Sequence, residues 1–216
     1  MPASPFDLAD QTSYRAWRDA RLAAYPKTVA ELIVPVADPR ALSAAETRAL
    51  ATAVGRANMA FYSAPHLPAA DKNLARALGR QLGLNRLEGN YLADEDGLSS
   101  ITPCDDDPPQ LRGEFIPYTH KAINWHTDGY YNTPDRRILG MTLHCAQDAE
   151  TGGENALLDH EIAYIQLRDL NPEFIAALMQ ADAMTIPARM DEDNVARAEQ
   201  SGPVFAVDPD EGFLTM

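Results

Sequence analysis

The stretch NWHTDGYYN, residues 124–132, places a histidine and an aspartate two positions apart between aromatic and carboxamide side chains. In an extended strand, residues i and i+2 point to the same side, so His126 and Asp128 would present an imidazole and a carboxylate towards one point. This pair would supply two of the three ligands of a facial triad, in which two histidines and a carboxylate hold Fe(II). An H-x-D pair is also common on polar surfaces, so the stretch alone leaves both interpretations open.

The segments around this stretch predict strands. AINWH (122–126) and ILGMTLHC (138–145) are separated by a polar turn at 133–135, and NALL (155–158) follows a turn at 151–153. The faces of the second strand would carry alternate residues, Leu139, Met141, Leu143 and Cys145 on one side and Ile138, Gly140, Thr142 and His144 on the other.

The remaining elements indicate an α+β fold, because helices and strands come first and a β-rich section with a helical insert follows. Helices are predicted over 13–26, from the capping box of Ser43 and Glu46, over 69–82, from Asp159 to Asp169 and from Asn171-Pro172 onward; strands are predicted over 32–36 and 59–63. The final residues, SGPVFAVDPDEGFLTM (201–216), predict a strand, a turn and a second strand. We expect one domain over 1–216.

The composition restricts the classes of partner. A formal net charge of −14 argues against nucleic acid and anionic membranes, which both need a basic face. The two cysteines, Cys104 and Cys145, form no CxxC pair, and the first residues lack a signal-peptide pattern. No apolar run is long enough to span a membrane, so a cytoplasmic protein is expected.

Residues 97–112 form a predicted acidic, proline-rich loop that contains three consecutive aspartates. A loop of this length is often a lid or a substrate loop, and a solvated excursion without such a role is an equal alternative.

Three blocks resemble the taurine dioxygenase and γ-butyrobetaine hydroxylase family of Fe(II)/2-oxoglutarate-dependent oxygenases. They are NWHTD (124–128), YYN (130–132) with LHC (143–145), and TGGEN (151–155); Tyr118-Thr119 resembles the run that leads into the metal motif. The resemblance covers about residues 114–165. It implies a double-stranded β-helix, a jelly-roll core flanked by helices.

The same resemblance implies an activity and a set of site residues. The expected reaction hydroxylates or oxidatively cleaves a small molecule with O2, and 2-oxoglutarate is converted to succinate and CO2. His126 and Asp128 would bind Fe(II), with Asn124 and Trp125 as local candidates for supporting them. Asn155 occupies a position where some members place a threonine on the cosubstrate. Tyr118 matches an aromatic position of the substrate site.

Two further aromatic residues, Tyr130 and Tyr131, lie close to the metal motif in sequence and are candidate substrate contacts. Aromatic rings can surround a quaternary ammonium group through cation–π attraction. Core packing is the alternative role for these rings.

The family completes its site with a distal histidine and an arginine, and neither is found here. His144 fits a pocket-lining position and His160, after a helix cap, is expected to be exposed. We therefore expect the distal residues on chain outside this sequence, and a natural or engineered short form that cannot turn over is the rival interpretation. An open barrel would leave unpaired strand edges, which would be a surface for aggregation or for a homo-oligomer. A non-catalytic barrel used for binding or assembly is the competing function, and a zinc hydrolase ranks last because no HExxH spacing is present.

Overall fold

The computed structural model of the chain describes residues 4–67, 71–88, 98–103, 115–191 and 194–216. Its backbone contacts divide the chain into a terminal unit, Met1–Ala69 with Cys145–Met216, and a middle unit, Ala70–His144. Most of the predicted loop 97–112, with Asp105, Asp106 and Asp107, lies outside the described residues. The single oxygenase domain over 1–216 stays a prediction.

The terminal unit contains most of the regular elements. The helices of the described chain are α1 Gln11–Ala24, α2 Ala44–Ala57, α3 Lys72–Gln81, α4 His160–Leu170 and α5 Pro172–Leu178, and only α3 belongs to the middle unit. The described strands are β1 Ile33–Pro35, β2 Phe61–Ser63, β3 Met184–Ile186, β4 Arg189–Asp191, β5 Asn194–Arg197, β6 Gln200–Gly202, β7 Ala206–Val207 and β8 Leu214–Thr215. None of these helices is long and apolar enough to cross a bilayer.

Local capping chemistry explains where the helices begin. The Ser43 Oγ accepts from the Glu46 N–H at 3.3 Å, and the Glu46 carboxylate accepts from the Ser43 N–H at 2.7 Å, so the predicted capping box of α2 is confirmed. Helix α1 begins two residues before the predicted start because the Asp10 carboxylate accepts from the Ser13 N–H at 2.9 Å.

The two predicted starts after the central region are also confirmed. The Asp159 carboxylate accepts from the Glu161 N–H at 2.9 Å at the start of α4. The Asn171 side chain accepts from the Glu173 N–H at 3.0 Å, with Pro172 at the first position of α5. Proline fits there because the first helical N–H has no partner within the helix.

The strands pair as four separate two-stranded sheets. The pair β1–β2 is parallel, which places the predicted segments 32–36 and 59–63 side by side. The predicted C-terminal hairpin is confirmed as the antiparallel pair β7–β8, whose turn has Gly212 at φ 74°. The pairs β3–β6 and β4–β5 within 184–202 were not predicted.

The core of the terminal unit joins both ends of the chain. Its buried members are Phe6, Tyr14, Tyr164, Ile175, Phe205 and Leu214. Tyr164, on α4, packs edge-on against Phe6 at 5.7 Å and against Phe205 at 5.5 Å between ring centroids. Fully burying a side chain of this size contributes about 1.5–3 kcal/mol, so this cluster anchors the C-terminal hairpin to the helices.

The strands predicted at 122–126, 138–145 and 155–158 are wrong for this structure, which has irregular backbone at all three. A strand needs a neighbour that pairs with its backbone groups, and residues 138–145 pair with no strand among the described residues. Leu139 and Met141 are accordingly 65% and 54% exposed. The α+β class is confirmed, whereas the double-stranded β-helix stays a prediction.

Candidate metal centre

The structure brings together the imidazole and the carboxylate of the H-x-D pair. The His126 Nε2 lies 3.4 Å from the Asp128 Oδ1, and the two side chains are 37% and 47% exposed. The segment is not a strand, but both side chains converge as the i, i+2 spacing predicts. The pair is therefore open to a ligand arriving from solvent.

A backbone contact defines which nitrogen of His126 faces the aspartate. The Nδ1 atom lies 2.8 Å from the Asn124 carbonyl oxygen. Because a carbonyl only accepts, Nδ1 carries the hydrogen and donates it, so a neutral ring presents a lone pair at Nε2. This second contact is the kind that orients metal-binding histidines, and Asn124 supplies it through its backbone.

The distance between the two facing atoms suits a shared cation. With neutral imidazole, Nε2 and the Asp128 oxygen are both acceptors, so a cation between them would satisfy both. Two ligands at right angles, each about 2.1 Å from one ion, are about 3 Å apart, close to the observed separation. When His126 is protonated, the same contact is an ion pair.

The pair fits two of the three protein ligands that the facial triad requires. Among the described residues, no group of three histidine, cysteine, aspartate or glutamate side chains gathers as a metal site. His160 is half-buried rather than exposed, as its Nε2 is 2.9 Å from the Leu214 carbonyl oxygen. That contact explains its burial: the ring joins the start of α4 to β8.

A tight turn follows directly after Asp128. Gly129 has φ 68°, a left-handed backbone conformation that residues other than glycine rarely adopt. The Asn132 N–H donates to the Gly129 carbonyl at 2.8 Å, and its side-chain amide donates to the Arg136 carbonyl at 3.0 Å. This turn was not predicted, although an Asp-Gly dipeptide such as Asp128-Gly129 is a sequence signal for one.

Two reciprocal contacts attach the next segment to residues 86–88. The Arg136 guanidinium donates to the Glu88 carboxylate through Nε at 2.6 Å and also through a terminal nitrogen. The Arg86 guanidinium donates to the Asp135 carbonyl at 3.2 Å. No local sequence pattern marks these residues, since only the fold brings positions 48 or 49 apart together.

The predicted aromatic contacts differ in exposure. Tyr118 is 3% exposed and ends a short 3₁₀ helix, so its ring is packed. Tyr130 and Tyr131 are 44% and 37% exposed and meet edge-on at 5.2 Å between centroids. Trp125 is 71% exposed within the part of the chain that the structure describes.

Asn155 and Cys145 belong to the terminal unit. The Asn155 side chain is exposed and donates to the Gly153 carbonyl at 3.2 Å. The Asp148 carboxylate, which accepts from the Cys145 thiol at 3.3 Å, raises the pKa of that thiol. Because metal ligation by cysteine requires the thiolate, this contact disfavours Cys145 as a ligand.

The imidazole–carboxylate pair offers two side chains of the kind that bind metal in metal-dependent enzymes. The profile of the family described as Taurine catabolism dioxygenase TauD, TfdA family matches residues 20–213, and the chain belongs to this family. Its members are Fe(II)- and 2-oxoglutarate-dependent dioxygenases with a jelly-roll fold. No curated protein and no solved structure matches the chain.

Proposed function

We propose that this chain is a Fe(II)- and 2-oxoglutarate-dependent dioxygenase that hydroxylates or oxidatively cleaves a small molecule. Succinate and CO2 are the coproducts, and His126 and Asp128 are two of the iron ligands. The observation that carries the proposal is the approach of the His126 Nε2 to the Asp128 Oδ1 at 3.4 Å. Family membership over residues 20–213 supplies the reaction class.

The chain's own groups prepare the site before any ligand binds. The Asn124 carbonyl holds the Nδ1 hydrogen, which directs the Nε2 lone pair towards the carboxylate. The carboxylate contributes a hard, negatively charged oxygen that suits a divalent cation. When bound, Fe(II) and 2-oxoglutarate supply the oxidising chemistry, for which no protein side chain is suited.

The substrate and cosubstrate contacts belong to the same proposal. Tyr130 and Tyr131 offer exposed ring surface within three residues of Asp128, enough to contact an apolar or cationic part of a small molecule. Tyr118 would contribute a packed wall, since its ring is buried. Asn155 would contact 2-oxoglutarate, and the jelly-roll core would surround the site.

Turnover is tested by measuring succinate from 2-oxoglutarate with Fe(II), O2 and a panel of small molecules. We expect succinate with the wild-type chain and less than a hundredth of it with His126→Ala or Asp128→Ala. His66→Ala is the matched control, because His66 is also exposed and contacts a backbone carbonyl, that of Ala37, at 2.7 Å. It should retain wild-type turnover.

The competing function, a non-catalytic barrel for binding or assembly, predicts a different result. Such a chain would give no succinate above the His126→Ala background with any substrate, and its thermal stability would not respond to Fe(II) with 2-oxoglutarate. Turnover that survives both His126→Ala and Asp128→Ala would also contradict the proposal.

A further inference from the structure

We infer that Asn132 and the Glu88–Arg136 ion pair are positioning residues, which hold the turn after Asp128 so that its carboxylate stays directed at His126. The inference rests on the proposed function, because it assigns these residues to the same metal site. It adds residues that no ligand motif contains and that lie up to 40 positions from the H-x-D pair.

The need for a positioning device follows from the surroundings of Asp128. Its carboxylate is 47% exposed, and its one polar contact within the described structure is His126. Core packing therefore does not restrict its rotation. The orientation of the carboxylate depends instead on the backbone that leaves Asp128, and that backbone is the Gly129 turn.

The turn is held from its far side by Asn132. Its N–H donates to the Gly129 carbonyl at 2.8 Å, and its side chain donates to the Arg136 carbonyl at 3.0 Å. A Cβ at Gly129 would lie 2.8 Å from the Asn132 Nδ2 and 2.8 Å from the Ile138 Cδ1. The amide and Ile138 therefore pack directly against the glycine, and the turn has little space to change shape.

Arg136 connects the Gly129 turn to residues 86–88 of the middle unit. It lies in the 3₁₀ helix Pro134–Arg136, and its guanidinium pairs with Glu88, whose side chain is 20% exposed. Arg86 donates to the Asp135 carbonyl in the opposite direction. Each of the two segments therefore donates one contact and accepts the other. Two such contacts restrict the sliding of the 3₁₀ helix along residues 86–88 more than a single contact would, so residues 86–88 serve as the anchor.

Co(II) alone is the probe, because it replaces Fe(II), is stable in air and has a visible spectrum that depends on its coordination geometry. Titration of the wild-type chain should show one site whose band is lost in His126→Ala. We expect Asn132→Ala to bind Co(II) about tenfold more weakly with a shifted band, as is typical when an outer contact of a metal site is lost. Glu88→Gln should weaken binding about threefold, the scale of an exposed ion pair.

The matched control is Glu31→Gln. Glu31 pairs with Arg56 at 2.7 Å in the terminal unit, with partial exposure similar to that of the Glu88–Arg136 pair. The Glu31→Gln variant loses an ion pair of the same chemistry as Glu88→Gln does. It should therefore change thermal stability by a similar amount but leave the Co(II) affinity and the Co(II) spectrum unaltered. The double variant Glu88→Arg with Arg136→Glu, which exchanges the two charges, should recover at least half of the Co(II) affinity that Glu88→Gln loses.

The outcomes separate this inference from the proposed function. If wild-type binds Co(II) through His126, but Asn132→Ala and Glu88→Gln behave like Glu31→Gln, the positioning role is overturned and the metal site stands. If wild-type shows no band that depends on His126, the metal site and the positioning role are both overturned. Weaker binding with a shifted band in Asn132→Ala, together with rescue by the charge swap, supports the inference.

Discussion

The two ring nitrogens of His126 have different partners, as its proposed role as a ligand requires. The Asn124 carbonyl occupies Nδ1, and Nε2 faces Asp128. His160 has a carbonyl partner for its Nε2, but that carbonyl belongs to Leu214, in β8. We therefore propose metal binding for His126 and a stabilising contact for His160, even though each histidine donates to a backbone oxygen.

Replacing His160 with alanine separates these properties. His160→Ala removes the contact with the Leu214 carbonyl, and we expect a loss of about 1 kcal/mol in the free energy of unfolding. Chemical denaturation measures this loss. Fe(II) binding should remain at the wild-type level, and a fall of tenfold or more in Fe(II) affinity would show that His160 is a ligand after all.

Helix α2 shows how strongly an element depends on its first turn. The Ser43 Oγ and the Glu46 carboxylate satisfy each other's backbone N–H groups. The hydrogen bonds from Ser43 hold the pKa of Glu46 below its ordinary range, and the hydrogen bond from the Ala37 N–H adds a smaller effect in the same direction. The ionised carboxylate is therefore favoured in the folded chain.

This shift predicts an acid-dependent loss of stability. A lowered folded-state pKa contributes stability that is fully present above the ordinary glutamate pKa of about 4.3 and is lost as the pH falls through the folded-state value. Glu46→Gln should therefore reduce the difference in stability between pH 7 and pH 3, as measured by thermal unfolding. Glu173→Gln, an exposed first-turn glutamate of α5, is the control. An unchanged difference in Glu46→Gln would contradict the capping account.

The helices could be predicted from sequence because their signals are local. Asp159, Asn171 and Ser43 lie within three residues of the N–H groups that they cap. The strand over 138–145 could not be judged in this way, because its stability depends on a distant partner. The hairpins within 184–202 gave little signal, since their strands are three or four residues long and rich in polar side chains.

At the scale of the whole molecule, one buried polar cluster ties three helices of the terminal unit together. The Asp159 side chain is fully buried and accepts from Arg21, on α1, at 2.9 Å. It also accepts at 2.9 Å from Asn58, the left-handed residue that ends α2, while Asp159 itself caps α4. Arg21 also donates to the Gly55 carbonyl at 2.6 Å.

Asp159→Ala should be among the most destabilising single changes in the chain. It removes the cap of α4 and the buried acceptor of Asn58 and Arg21, so we expect a loss of about 2–4 kcal/mol. Arg21 keeps its second partner, Glu161, at 2.6 Å. Urea denaturation measures the change. The control is Asp19→Ala, which removes a partner of Arg18 that is 71% exposed and should cost less than about 1 kcal/mol. Equal losses in the two variants would contradict the assignment.

The candidate site could be predicted only in part. The i, i+2 spacing predicted that His126 and Asp128 converge, which the structure shows, while their role as ligands stays a prediction. The turn at Gly129 was not predicted. The Glu88–Arg136 ion pair could not be predicted, because ion pairs between distant positions leave no local pattern. The order of the motif blocks indicated the family, and the match over residues 20–213 confirmed the taurine dioxygenase family, while the likeness to γ-butyrobetaine hydroxylase stays a prediction.

Anaerobic titration of the chain with Fe(II) and 2-oxoglutarate tests the central claim most directly. The two compounds bound together give a weak visible charge-transfer band, whose saturation reports one site per chain. We predict this band in the wild-type chain and in His66→Ala, and its loss in His126→Ala and Asp128→Ala. A wild-type chain without the band, or a band of unchanged intensity in both ligand variants, would contradict the assignment of His126 and Asp128 as iron ligands.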